Sequence, residues 1–284
     1  MKTLTACLLI TIVALCPLAR ADEPAIVTKA RAYLGSESAL NAVTSVRMSG
    51  KMTTVDAAGK PAQIAVDIVF QKPFQESITI LQANRIVHTS LDGYDASQQS
   101  QDGAPGQTEI DYKNKPWRLN ILGGDQVKTL RVDVLENLFF YRGVQRVGGQ
   151  IEDRGLATAD GKTTEKVAFI YAPNFVYIRH FDPDTGRLVF TESESGTQIR
   201  EQGEIVAGGI RFPKVIEVTE NLNGTPSKKT YTFDKVTVNE TYPDSLFAIP
   251  PLSGAASAAT PEPAPAAPAP APSVTPAVAL PATH

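Results

Sequence analysis

The stretch Ile64-Ala65-Val66-Asp67-Ile68-Val69-Phe70 decides the fold class. Large apolar side chains at Ile64, Val66, Ile68 and Phe70 alternate with Ala65, Asp67 and Val69, so a strand here buries one face and turns the other toward water. Such alternation belongs to an antiparallel sheet packed on one side. On either side of it, similar runs are separated by Ala58-Gly59-Lys60-Pro61, Ala159-Asp160-Gly161, Asp182-Pro183-Asp184-Thr185-Gly186 and Asn221-Leu222-Asn223-Gly224. Each supplies the glycine, proline or short polar side chain that a hairpin loop needs. About ten strands connected in this way, without βαβ alternation, predict a mainly β (α+β) chain built on one large, strongly curved antiparallel sheet.

Three regions carry the helical period instead. From Pro24 to Leu34, the residues Ile26, Ala30, Tyr33 and Leu34 recur on one face, with proline suited to the first turn and Gly35 to the stop. A shorter turn or helix is expected from Ser36 to Val43. Between Gly124 and Phe140, an apolar stripe of Val127, Leu130, Val134, Leu135 and Leu138 predicts a helix packed on the core.

The ends of the chain suggest where it works. Lys2 precedes an apolar run from Leu4 to Leu18 that ends in Ala19-Arg20-Ala21, so residues 1–21 read as a secretory signal peptide cleaved after Ala21, with a periplasmic destination. The rival, a lipid-modified Cys16, has Leu15 where a small residue is expected. Cys7 and Cys16, the chain's 2 cysteines, both fall in the segment expected to be removed, so the domain over 22–252 has no thiol for a disulfide, thiolate metal site or nucleophile. Residues 253–284 are dominated by alanine and proline with Glu262 the one charge, a composition expected to be disordered with polyproline II character. Losing Lys2 and Arg20 takes the 27 basic residues to 25 against 30 acidic ones, a net charge of −5 that gives no footing for nucleic acid.

Candidate chemistry is weak throughout. Asp182-Pro183-Asp184-Thr185-Gly186 spaces carboxylates as a calcium loop does but lacks the remaining ligands, and a tight turn accounts for every residue in it. His88, His180 and His284 are too scattered for a zinc site, and Glu192 and Glu194, placed on one strand face, read as solvated. Nucleophile elbow, phosphate loop, dinucleotide fingerprint and HExxH helix are all missing, so neither an enzyme nor a cofactor is expected.

An ordered series of segments adds a further reading. A first helix leads to Val46-Arg47-Met48-Ser49-Gly50-Lys51-Met52, then to Phe70-Gln71-Lys72-Pro73-Phe74, then to Leu91-Asp92-Gly93-Tyr94, and the domain closes on Asp244-Ser245-Leu246-Phe247-Ala248-Ile249-Pro250. In this order the chain resembles the LolA/LolB-like periplasmic lipoprotein carriers. It departs from them at Gln75-Glu76-Ser77, where the lipoprotein carrier has an arginine important to release. The resemblance implies an unclosed β-barrel with covering helices, and Asp244 to Pro250 as its last strand, pinned by Phe247. It also implies a non-enzymatic carrier or binding protein that holds a lipid, acylated protein or other hydrophobic ligand in the concave face. The expected lumen residues are Ile64, Val66, Ile68, Phe70, Phe74, Ile78, Ile80, Phe169 and Tyr171. Expected partners are the hydrophobic ligand, a membrane touched peripherally and an envelope protein reached through the tail. The alternative is a ligand-free envelope scaffold that uses the tail as a tether.

Overall fold

The computed structural model describes residues 23–55, 60–104, 106–172, 175–222 and 225–250. The expected signal segment and Ala/Pro-rich tail lie outside the described residues. Two helices, α1 (Ala25–Leu34) and α2 (Glu37–Ala42), lead into strands β1 (Ser45–Val55), β2 (Pro61–Gln71), β3 (Gln75–Gln82), β4 (Arg85–Asp92), β5 (Asp95–Asp102) and β6 (Arg118–Ile121). Helices α3 (Gly124–Phe139) and α4 (Gly143–Arg146) follow. The chain continues with β7 (Gln150–Ala159), β8 (Lys162–Ala172), β9 (Phe175–Phe181), β10 (Leu188–Ser193), β11 (Gln198–Ala207), β12 (Ile210–Leu222) and β13 (Thr225–Val238).

All the strands belong to one 13-stranded antiparallel sheet, in the order β6-β5-β4-β3-β2-β1-β13-β12-β11-β10-β9-β8-β7. It consists of two meanders joined where the first strand pairs with the last. The edges β6 and β7 do not pair with each other, so the sheet is an unclosed barrel. Helices α3 and α4 occupy the connection between those two edges.

The curvature follows from two hydrogen bonds made by one helix. Arg131 of α3 donates to the Gly93 carbonyl in the β4–β5 turn, and Glu136, five residues on, accepts from Arg179 of β9. In a flat sheet β4 and β9 would lie some eight strand spacings apart, ~38 Å at ~4.8 Å per strand. Five residues of helix advance only ~7.5 Å. The sheet therefore wraps around α3, which lies in its concave face.

The helix serves this position with two apolar faces and a clasped end. Leu130, Val134 and Leu138 enter a core formed with α2 and β1, β2, β4, β5, β12 and β13, with Val127 against its margin. Val132 and Leu135 enter a second core with α1 and β8 to β10. Both placements bear out the expected apolar stripe. The carboxy-terminal end is clasped from α1: Arg31, 1% exposed, donates to the Phe139 and Phe140 carbonyls at 3.0 and 2.6 Å while pairing in bidentate fashion with Glu37. Carbonyls that a helix end leaves unpaired are thereby satisfied, and a cation sits where the helix dipole favours one.

Two expectations are corrected. The closing segment is not the last strand, a place taken by β13; Asp244–Leu246 forms a single 3₁₀ turn, with Leu246 and Phe247 N–H bonded to the Pro243 and Asp244 carbonyls. Pro243 and Pro250 have no N–H to give a ladder, which favours the turn. Phe247 is nevertheless fully buried. The strand count exceeds the expected ten because polar strands such as β5 and β6 carry little apolar alternation. The Asp182–Gly186 stretch is the expected turn: Asp182 Oδ1 accepts from the Asp184 and Thr185 N–H groups, both at 2.9 Å, and Gly186 takes φ 76°.

Candidate binding site

Two cavities adjoin α3 on opposite sides. The first, 380 Å³, opens between the β2–β3 turn, the β4–β5 turn, the start of β9, and helices α3 and α4. Phe74, Tyr94, Tyr171 and Phe175 supply aromatic walls, Val132, Leu135 and Val147 aliphatic ones, and Lys128, Arg131 and Arg146 a cationic rim. Lys128, Arg131, Val132 and Leu135 reach it together because i, i+3, i+4 and i+7 share one side of a helix. Tyr94 is 78% exposed, an aromatic ring held in water at the mouth. Buried within the wall, the Tyr171 hydroxyl has no hydrogen-bond partner among the described residues.

Local structure sets this rim. The Arg131 guanidinium lies 3.9 Å from the Phe74 ring centre and 3.8 Å from that of Tyr94, and its Nη1 donates to Gly93 O at 2.6 Å. Gly93 turns the β4–β5 hairpin with φ 66°, which favours glycine and brings its carbonyl to the arginine. On α4, Gly143 has its backbone against α3; a Cβ there would sit 2.6 Å from Leu135 O. That close approach puts Arg146 over the Phe139 ring at 4.2 Å, with Lys72 at 4.7 Å from the same ring.

The second cavity, 220 Å³, lies on the other side of α3, toward β9, β11 and β12, and sets several ionisable groups in a mainly apolar wall. Asp133, Glu136, Asn137 and Phe140 line it from the helix, with Arg179 and Glu201 opposite. Arg179 is 6% exposed, binds Glu136 through Nη2, and leaves Nε and Nη1 without hydrogen-bond partners among the described residues. Burial pushes the Asp133 carboxyl up to about 7. Glu136 is raised by burial, then by the charges of Asp133 and Glu201, and Glu201 is raised by burial against the pull of Arg179. Glu76, 2% exposed, is raised by burial and by Asp133. Glu76 pairs with Phe70 across β2 and β3, so the face read as wholly apolar carries a carboxyl.

The expected lumen residues separate into distinct groups. Phe74 and Tyr171 line the 380 Å³ cavity. Ile68, Phe70 and Ile78 belong to or pack on the first core, and Phe169 stands fully buried in the second against Tyr141 and Phe181. Val66 is buried and pairs with the half-buried Ile80, while Ile64 borders a separate open depression by Lys51, Gln82 and Gln107. Sequence reasoning missed Tyr94, Lys128, Arg131, Arg146 and Phe175. The usable signal was Lys128 and Arg131 at helical spacing with Val132 and Leu135, cations beside an apolar stripe. The pair Glu192 and Glu194 does not share a strand face, because β10 ends at Ser193 and Glu194 stands in the following turn. Glu192 pairs with Lys166 and approaches His180, both at 3.4 Å.

Fold and cavities together define an open antiparallel barrel with a helix in its concave face and an aromatic, cation-rimmed opening beside that helix. No protein-family model matches the sequence, and no curated protein matches it. Among solved structures, the chain is similar to a LolA superfamily protein from Nitrosomonas europaea at 10% identity, covering 79% of this chain and 96% of that one with a TM-score of 0.49. A DUF1329 family protein from Desulfovibrio piger gives 12% identity, the same coverages and a TM-score of 0.49. An outer membrane lipoprotein-sorting protein domain from Vibrio parahaemolyticus gives 8% identity, 78% and 94% coverage and a TM-score of 0.46. Among the described residues no helix is long and apolar enough to cross a membrane.

Proposed function

We propose that this protein is a non-enzymatic periplasmic binding or carrier protein that holds the apolar part of a lipid, acylated protein or similar molecule in the 380 Å³ cavity beside α3. The observation that carries this reading is the cavity itself. It lies within the range of small-molecule sites, ~300–1,000 Å³, and combines a mostly apolar lining with a few placed polar groups. Its aromatic mouth exposes apolar surface that a buried ligand would cover. The periplasmic assignment rests on the signal-like residues 1–21.

Gently purified mature protein, analysed by native mass spectrometry, is expected to carry lipid-sized adducts and to bind a fluorescent fatty acid. Val147→Trp, a substitution at the exposed margin, is expected to fill the mouth and weaken that binding several-fold. Absence of adducts together with absence of fatty-acid binding overturns the reading. The second reading, a ligand-free scaffold tethered through residues 253–284, is favoured by the solid packing of Ile68, Phe70 and Phe169. It predicts that same negative result.

A further inference from the structure

The mouth of the 380 Å³ cavity is charged as well as apolar. Lys72 Nζ and the Arg146 guanidinium lie 4.7 and 4.2 Å from the one Phe139 ring centre, which places these two cations within 8.9 Å of each other. Arg131 and Lys128 stand on the adjoining turn of α3, around the same opening. Among the described residues neither Lys72, Arg131 nor Arg146 forms an ion pair; Lys128 reaches Asp125 at 3.7 Å, an exposed contact one helical turn away. Asp92 and Asp95, which flank the β4–β5 turn, make no ion pair with Arg131. The ammonium of Lys72 is held below its usual range by burial and then by the charge of Arg146. Like charges gathered at a half-buried rim, in a chain with more acidic than basic residues, lack an anion within the fold to offset them.

From this geometry we infer that the site takes an anionic amphiphile, its chain between Phe74, Tyr171, Phe175, Val132 and Leu135 and its phosphate or carboxylate head on Arg131 and Arg146, with the charge of Lys72 behind Arg146. Recognition rests on the binding reading given above and adds the ligand's charge to it. Stacked between Phe74 and Tyr94 and tied by Nη1 to Gly93 O, Arg131 is fixed before any ligand arrives, and its remaining N–H groups can meet an oxyanion with two parallel bonds. Arg146 adds charge at the same opening, and Lys72, outside the cavity lining, stands behind it across the Phe139 ring. An anion arriving there relieves their mutual repulsion, which a neutral head group cannot do. The partnerless Tyr171 hydroxyl supplies a hydrogen bond deeper in the wall.

The test compares probes with one chain and different heads by titration calorimetry on the mature protein, each below its micelle concentration: dodecyl phosphate, laurate, dodecyl maltoside and dodecyltrimethylammonium, with inorganic phosphate as the head alone. Dodecyl phosphate, laurate or both are expected to bind at least about tenfold tighter than dodecyl maltoside at low salt, with the preference shrinking as ionic strength rises. Which of the two binds tighter identifies the head group. In Arg146→Gln and Lys72→Gln the ratio of anionic to neutral affinity is expected to fall several-fold, and in Arg146→Glu to approach one. These two positions keep the test decisive even if Arg131→Gln, which also removes packing, fails to fold. Equal affinity for maltoside and phosphate probes overturns the head-group inference while leaving the hydrophobic-ligand reading intact. Tighter binding of the trimethylammonium probe overturns it as well, as does inorganic phosphate binding as tightly as dodecyl phosphate. Failure of every dodecyl probe overturns both.

Discussion

Replacing Asp133 with asparagine isolates one of the buried acids inside the barrel. The Asp133 carboxyl stands on α3 facing the 220 Å³ cavity, with Glu136 and Glu201 also lining it, Glu76 raised in part by its charge, and Arg179 the cation bound to Glu136. Burial raises Asp133 from 3.8 to about 7, so the folded protein keeps a proton that the unfolded chain releases from about pH 4 upward. Stability from this group is therefore fully present below the unfolded value and is lost as pH rises through about 7. One proton difference gives a slope of about 1.4 kcal/mol per pH unit. Across the whole interval the ceiling is about 4 kcal/mol, reduced in practice because the carboxyl keeps some contact with cavity water. Asparagine has nearly the same shape and never ionises. Asp133→Asn should match the parent near pH 3 and become more stable above pH 7, by one to a few kcal/mol, with the residual slope left to Glu76 and Glu136. Urea unfolding followed by circular dichroism at half-unit pH intervals measures this directly. Parallel curves for the two proteins, or an asparagine variant that is less stable at pH 8, would refute the argument.

Other perturbations probe the elements that position the site. Arg31→Met should cost about 2–4 kcal/mol in urea unfolding, because it leaves the Phe139 and Phe140 carbonyls unpaired at the end of α3. Gly143→Ala should cost about 1–3 kcal/mol, since its Cβ would sit 2.6 Å from Leu135 O, and should weaken ligand binding by displacing α4 and Arg146. Phe169→Ala, at a fully buried site among Tyr141, Phe181 and the Arg179 side chain, should cost about 3–5 kcal/mol. A loss below 1 kcal/mol on that substitution would mean that the second core is loosely packed.

Much of the local order was legible in the residues. The alternation from Ile64 to Phe70 gives β2, with Ile68 opposite Ile78 and Val66 opposite Ile80 in β3. Ala159-Asp160-Gly161 gives the β7–β8 hairpin, with positive φ at Asp160 and Gly161, and Asp92-Gly93-Tyr94 gives the β4–β5 turn. Helix α3 runs from Gly124 to Phe139, matching its apolar stripe. These features depend on neighbours a few residues apart, through the strand period, the helix period and the backbone demands of a turn.

The candidate site was legible only in fragments. Phe74 and Tyr171 were expected in a lumen and line the cavity; of the residues expected beside them, Phe70 and Phe169 are buried core and Ile68 and Ile78 pack half-buried on its margin. Period two tells which face of a strand turns inward, but not whether helix, ligand or water lies opposite. Arg131 reads in sequence as an ordinary surface cation on a helix. It becomes a fixed rim residue because the β2–β3 turn brings Phe74 and the β4–β5 turn brings Tyr94 to its two sides. Likewise Glu76, flanked in sequence by polar Gln75 and Ser77, turns inward beside Asp133 because the sheet wraps around α3. By itself, then, the sequence determined the strands, the turns, the core-facing helix and the expectation of export. Only the tertiary structure decided where the sheet stays open, which inward side chains meet solid packing, and which cations share one opening, because each is a contact between segments tens of residues apart whose distance the local chain does not set.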